Sequence, residues 1–140
     1  MKMTKPGPAL KQLHSHHAIH EGGLSGAIQK TNNFLELLRS RELEAANLAA
    51  DDLLDYWKTR VISHADAEES GFYQEKVEEN PALRDVVIKL ERDHDLLRII
   101  SKDIKEIRNE HGLNEAVIQR FYALLTVNEI HSRDEERLLF

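Results

Sequence analysis

A chain of 140 residues, 41% hydrophobic and 31% charged, is long enough to bury a real core and has the balance of an ordinary globular domain. Its net charge is −6, and its 19 lysines and arginines gather into no basic stripe, which argues against nucleic acid as a partner. With no cysteine, disulfides, thiolate zinc sites and cysteine-ligated iron–sulfur clusters are excluded, so any metal must be held by nitrogen and oxygen.

The strongest periodicity is helical, and six glycines and three prolines are too few to punctuate an all-β chain. The start, Met1-Lys-Met-Thr-Lys-Pro-Gly-Pro, lacks the apolar run of a signal peptide. No stretch approaches the apolar length that spans a bilayer. The expectation is a cytoplasmic protein with no membrane partner, folded as a single domain over residues 1–140.

In chain order, the first helix is expected over about 9–39, on a stripe of Leu10, Leu13, His17, His20, Leu24, Ile28, Leu35 and Leu38. Gly22, Gly23 and Gly26 each cost it roughly 1 kcal/mol against alanine, and such glycines often mark the close approach of a neighbour or ligand. Ser40 offers a cap for a second helix over about 41–70, with the stripe Leu43, Ala50, Leu54, Trp57, Val61, His64, Glu68 and Phe72. That helix should fray or end between Gly71 and Asn80. Asn80-Pro81 starts a third, over about 81–111, carrying Leu83, Val87, Leu90, His94, Leu97, Ile104 and Ile107, and His111-Gly112 closes it. The fourth, over about 113–140, carries Val117, Phe121, Leu124, Asn128, His131, Glu135 and Leu138. Four amphipathic segments with short connections predict an all-α, antiparallel up-down-up-down four-helix bundle.

The chain contains an internal echo. His64-Ala-Asp-Ala-Glu68-Glu69-Ser-Gly-Phe72-Tyr73 aligns without gaps to His131-Ser-Arg-Asp-Glu135-Glu136-Arg-Leu-Leu139-Phe140. Upstream of each copy a histidine sits on the stripe of the preceding helix, His20 and His94, and the two intervals differ by one heptad. Two such helix pairs packed about a pseudo-twofold axis would bring both motifs to one central site.

Residues four apart on a helix share a face, about 5–6 Å between Cβ atoms, so each His–Glu pair can reach one metal or bridge two. His64, Glu68, His94, His131 and Glu135 stand where leucine or valine is expected. A buried, unpaired carboxylate costs several kcal/mol, and a metal removes that cost by keeping carboxylates ionised and histidines neutral. One histidine on an apolar face is usually a satisfied core residue, and one HxxxE pair is equally an i,i+4 hydrogen bond. Two matched pairs joined by on-stripe histidines from both other helices point to a metal. Ferritin-like di-iron proteins need two ExxH motifs, and only Glu91-Arg-Asp-His94 fits that spacing around a candidate ligand.

With its two HxxxEE motifs and helix-borne His20 and His94, the chain resembles the hemerythrin-like, or HHE cation-binding, family over almost its whole length. The resemblance implies a non-haem di-iron centre in a four-helix bundle, held by five histidines and two bridging carboxylates. His20, His64, His94, His131, Glu68 and Glu135 fill six of those places. The fifth histidine is His16, which pairs with His20 one turn later, or His17, which lies on the apolar stripe. In hemerythrin itself the paired-histidine helix is the third, and its last carboxylate is an aspartate one residue farther from its histidine; this chain departs from both. Glu69 and Glu136 are expected to face solvent or to support the ligands, and His14 and His111 to lie at the surface.

The site implied is two iron ions with an oxo or hydroxo bridge, and zinc or manganese could occupy it in vitro. Its implied function is to bind dioxygen or a related small ligand, as carrier, sensor or in iron handling. Trp57, Val61, Leu24, Leu97 and Leu124 are candidate walls for such a ligand. The alternatives are an iron- or redox-responsive regulatory module and an oxidase acting on peroxide or nitric oxide.

Overall fold

The computed structural model describes residues 13–140, and four helices hold nearly all of them, with no strand among the described residues. Helix α1 is Leu13–Arg39. Helix α2 runs over 43–79 as three α-helical stretches, Leu43–Tyr56, Ser63–Ala67 and Tyr73–Glu79, separated by π-helical turns at Trp57–Ile62 and Glu68–Phe72. A 3-10 turn, Pro81–Leu83, leads into α3, Arg84–His111, and α4 is Glu115–Leu139. Helices α3 and α4 pack along one another, and α1 lies against both α2 and α4. Among the described residues no helix is long and apolar enough to cross a membrane. Leu10, and the start of the first helix at residue 9, lie outside the described residues.

The helix ends follow local chemistry. Asn80 accepts from the Ala82 amide at 3.2 Å and Pro81 opens the turn, as expected from the sequence. Gly112, with φ of 76°, terminates α3 in a backbone conformation that favours glycine. Asn114, not singled out in the sequence, caps α4 by accepting from Val117 N at 3.1 Å. Ser40 does not cap α2. Its amide bonds the Glu36 carbonyl at 3.0 Å and so extends α1, and Glu42 precedes α2 without a side-chain cap. The second helix ends at Glu79, inside the window expected between Gly71 and Asn80 but beyond residue 70, because Phe72 and Tyr73 are buried and carry it past Gly71. Their burial is worth about 1.5–3 kcal/mol each, more than glycine costs a helix.

Two apolar clusters enclose a polar layer. The larger joins Phe34, Trp57, Leu97, Ile104, Phe121 and Leu124 with their neighbours, and the smaller joins Phe72, Tyr73, Val87, Leu90 and Leu139. On α2, α3 and α4 the buried polar residues Glu68, His94, His131 and Glu135 fall between these clusters in chain order. They stand where the core would otherwise be continuous.

Of the stripe expected on α1, Leu35 is buried, His20, Leu24 and Leu38 are half-buried, and Leu13, His17 and Ile28 are exposed. The buried residues of the helix are His16, Ala27, Thr31, Phe34 and Leu35. The small residues let α2 come close: the Tyr56 hydroxyl donates to the Gly23 carbonyl at 2.9 Å. A methyl added at Gly26 would collide with that hydroxyl, while Gly22 has open space around it. Gly22→Ala should therefore raise stability by about 1 kcal/mol, the helix-propensity difference, read as a higher urea midpoint. Gly26→Ala should show no such gain, and equal gains at both positions would contradict this packing.

Candidate metal centre

All seven residues expected to hold metal come together between the two apolar clusters. One donor atom from each of His16, His20, His64 and Glu68 lies within 4.8 Å of the others, and the same holds for Glu68, His94, His131 and Glu135. These groups can each hold a metal ion. They are supplied by all four helices: His16 and His20 by α1, His64 and Glu68 by α2, His94 by α3, His131 and Glu135 by α4.

The two glutamates each turn one oxygen to each group. Glu68 Oε2 is 3.0 Å from His16 Nε2 and 3.4 Å from His64 Nε2, while its Oε1 is 3.3 Å from His94 Nε2. Glu135 Oε1 contacts His16 Nε2 and stands 3.1 Å from His20 Nε2, while its Oε2 is 3.4 Å from His131 Nε2. On the second side, the Nε2 atoms of His94 and His131 face each other at 3.0 Å.

The outer nitrogens of three histidines are held by carboxylates. His20 Nδ1 pairs with Glu136 at 2.7 Å, His94 Nδ1 with Glu69 at 2.6 Å, and His131 Nδ1 with Asp93 at 2.9 Å. With a metal bound, such partners would hold the tautomer that presents the Nε2 lone pair to the centre. Glu69 and Glu136 thus hold two of the candidate ligands in place, one of the two roles expected of them. Asp93 was not anticipated; its adjacency to His94 was the only signal in the sequence. Asp93→Asn should weaken metal binding by about 10–100-fold in competition with a chelator, while Asp52→Asn, at the exposed Lys30 pair, should leave it unchanged.

Rotation of α1 places His16, and not His17, among the grouped donors. His16 is buried against both glutamates, and His17 is exposed, bonded to Glu136 at 2.7 Å. His14 and His111 are exposed and enter neither group. Tyr73, read in the sequence only as an apolar position of the repeat, is also at the site: its buried hydroxyl donates to Glu135 Oε2.

Burial opposes charge here, yet the charged forms win because they are paired. Desolvation and the neighbouring Glu135 push the Glu68 carboxyl up, but His16, His64 and His94 hold it below the usual range. Glu135 is held well below it by His131, His16 and His20 against the same burial. Burial alone would lower His16, but Glu135 and Glu68 raise it to about 10; Asp93 and Glu135 likewise raise a buried His131 to about 9. Protons on these rings stand where a cation would neutralise the two carboxylates.

Two atoms test whether a metal fits. His64 Nε2 and Glu68 Oε2 are buried without a hydrogen-bond partner of good geometry, though both point into the first group. Metal ligation would satisfy both. A cavity of about 30 Å3 opens beside His64, Glu68, His94 and His131, with Val61 and Leu97 among its walls. That is room for a molecule of about one or two heavy atoms. Of the other expected walls, Trp57 and Leu124 belong to the apolar core, and Leu24 lines a separate surface groove.

No family model, curated protein or solved structure matches the chain.

Proposed function

We propose that this chain is a hemerythrin-like, cytoplasmic di-iron protein that binds dioxygen or a related small ligand, as carrier, sensor or in iron handling. In this reading the four helices run up-down-up-down about the centre, three histidines would hold one iron and two the other, and Glu68 and Glu135 would be shared between them. The observation that carries it is the division of both carboxylates, one oxygen toward each histidine group. A single-ion site would not need that arrangement. Nitrogen and carboxylate donors without thiolate suit iron, although zinc and manganese share the chemistry and affinity alone selects poorly.

When bound, the irons would supply redox chemistry and positions for a small ligand. The protein's own part is to orient imidazoles through Glu69, Asp93 and Glu136, to exclude bulk water with its two apolar clusters, and to restrict access to the small cavity. The test is metal analysis of anaerobically purified protein, with absorbance spectra before and after air and again after the gas is removed. Two irons per chain and a reversible visible band are expected. Protein that holds no iron and cannot be loaded with it would refute the proposal. Steady consumption of peroxide or nitric oxide would move the assignment to an oxidase.

A further inference from the structure

Tyr73 has a place in the site that the seven ligands leave unexplained. Its side chain is fully buried, and its ring lies flat on His94, with centroids 5.6 Å apart and planes 6° from parallel. Its hydroxyl donates to Glu135 Oε2 and stands 3.4 Å from His94 Nε2. Both of those atoms face the second group. Bonds of about 2.0–2.2 Å from a metal to nitrogen or oxygen put neighbouring donors roughly 3 Å apart. The Tyr73 oxygen therefore lies close enough to Glu135 Oε2 and His94 Nε2 to share one metal ion with them.

We propose that Tyr73 is itself a metal ligand, a phenolate completing the group of Glu68, His94, His131 and Glu135 when that group holds a trivalent ion such as ferric iron. The assignment rests on the metal reading above and adds a donor to it. The two groups differ in their imidazoles: His16, His20 and His64 serve one, only His94 and His131 the other. Tyr73 sits on the poorer side. In the internal repeat its counterpart is Phe140, which has no hydroxyl to offer, so the hydroxyl follows the asymmetry of the histidines. A hard anionic oxygen suits a small, highly charged cation better than a divalent one. In the ligation step the phenol O–H bond is exchanged for an oxygen–metal bond, one proton passes to solvent, and no electron moves.

The chain has three tyrosines, Tyr56, Tyr73 and Tyr122. Tyr56 is committed to the Gly23 carbonyl and Tyr122 is exposed, so a tyrosinate signal can be assigned. The experiment is resonance Raman spectroscopy of the full chain loaded with ferric iron, with and without ring-deuterated tyrosine. Enhanced tyrosinate ring modes that shift on deuteration, persist in Tyr56→Phe and Tyr122→Phe, and vanish in Tyr73→Phe are expected. A wild-type ferric spectrum without those modes, at full iron content, overturns the assignment and leaves the di-iron reading standing. If Tyr73→Phe fails to fold or to hold iron, the wild-type spectrum and the two other variants decide by themselves. Failure of the wild-type chain to take up iron removes the ligand and the di-iron reading together.

Discussion

Glu68→Ala is expected to abolish stable metal binding altogether, whereas removing a single histidine should spare one ion. Glu68 belongs to both groups of donors, and like Glu135 it turns one oxygen to each. Its loss takes an oxygen from the three-histidine side and another from the two-histidine side at once. Each side then loses a direct ligand, a larger loss than the roughly 10–100-fold cost of altering a residue that merely supports one. His64→Ala and His131→Ala each strip one group and should hold at most one ion per chain. His111→Ala, at an exposed position of the last turn of α3, should retain the wild-type content. Metal per chain after desalting reads all four. Equal content across the series would sink the ligand assignment, and a Glu68→Ala protein as well loaded as His64→Ala would remove the shared role of Glu68.

Stripping the metal is expected to lower the thermal midpoint by roughly 10 °C or more. A ligand present at about 1,000 times its dissociation constant stabilises the fold by about 4 kcal/mol. For a chain of this size each kcal/mol moves the midpoint by a few degrees. Metal uptake should also be strongly pH-dependent, and its sign follows from the metal-free site. His16 and His131 are raised to about 10 and 9 by their carboxylate partners, so at neutral pH both rings carry protons that must leave before nitrogen can ligate. Affinity should therefore rise with pH until those values are passed, and uptake at neutral pH should release protons. Calorimetry in buffers of different ionisation enthalpy measures that release directly. Affinity falling between pH 6 and 8, or no proton release, would contradict the pairing described for His16 and His131.

The candidate ligands of α3 and α4 were legible in the sequence because both helices keep one unbroken periodicity. His94, His131 and Glu135 stand in register with Leu90, Leu97, Leu124 and Phe121, and all are buried. Helix α1 was harder to read. Phe34 and Leu35 are buried as their hydropathy suggests, but Leu13 and Ile28 are exposed, while small Ala27 and polar Thr31 face inward. Size mattered more than hydropathy there, because α2 comes close enough for Tyr56 to reach the α1 backbone. That rotation turns His16 inward and His17 to the surface. In α2 the motif His64/Glu68 was plain, but the two π turns around it were not, since each depends on backbone hydrogen bonding that no residue type announces. Tyr73 was hidden for a related reason: a buried tyrosine reads as core until its hydroxyl is seen to face a carboxylate.

Those π turns set α2 apart from the other three helices that carry candidate ligands. A π turn holds one residue more than the α-helical turn it replaces, and residues in an α-helix are spaced by about 100° around the axis. Tightening the Trp57–Ile62 turn into regular α-helix would swing everything after it by about that angle, carrying His64 and Glu68 off the central axis together. The same backbone slip would leave His16, His20, His94 and His131 where they are. An ion seated between the groups would then act on α2 as a ratchet pawl acts on a wheel, holding one tooth of the screw against the next.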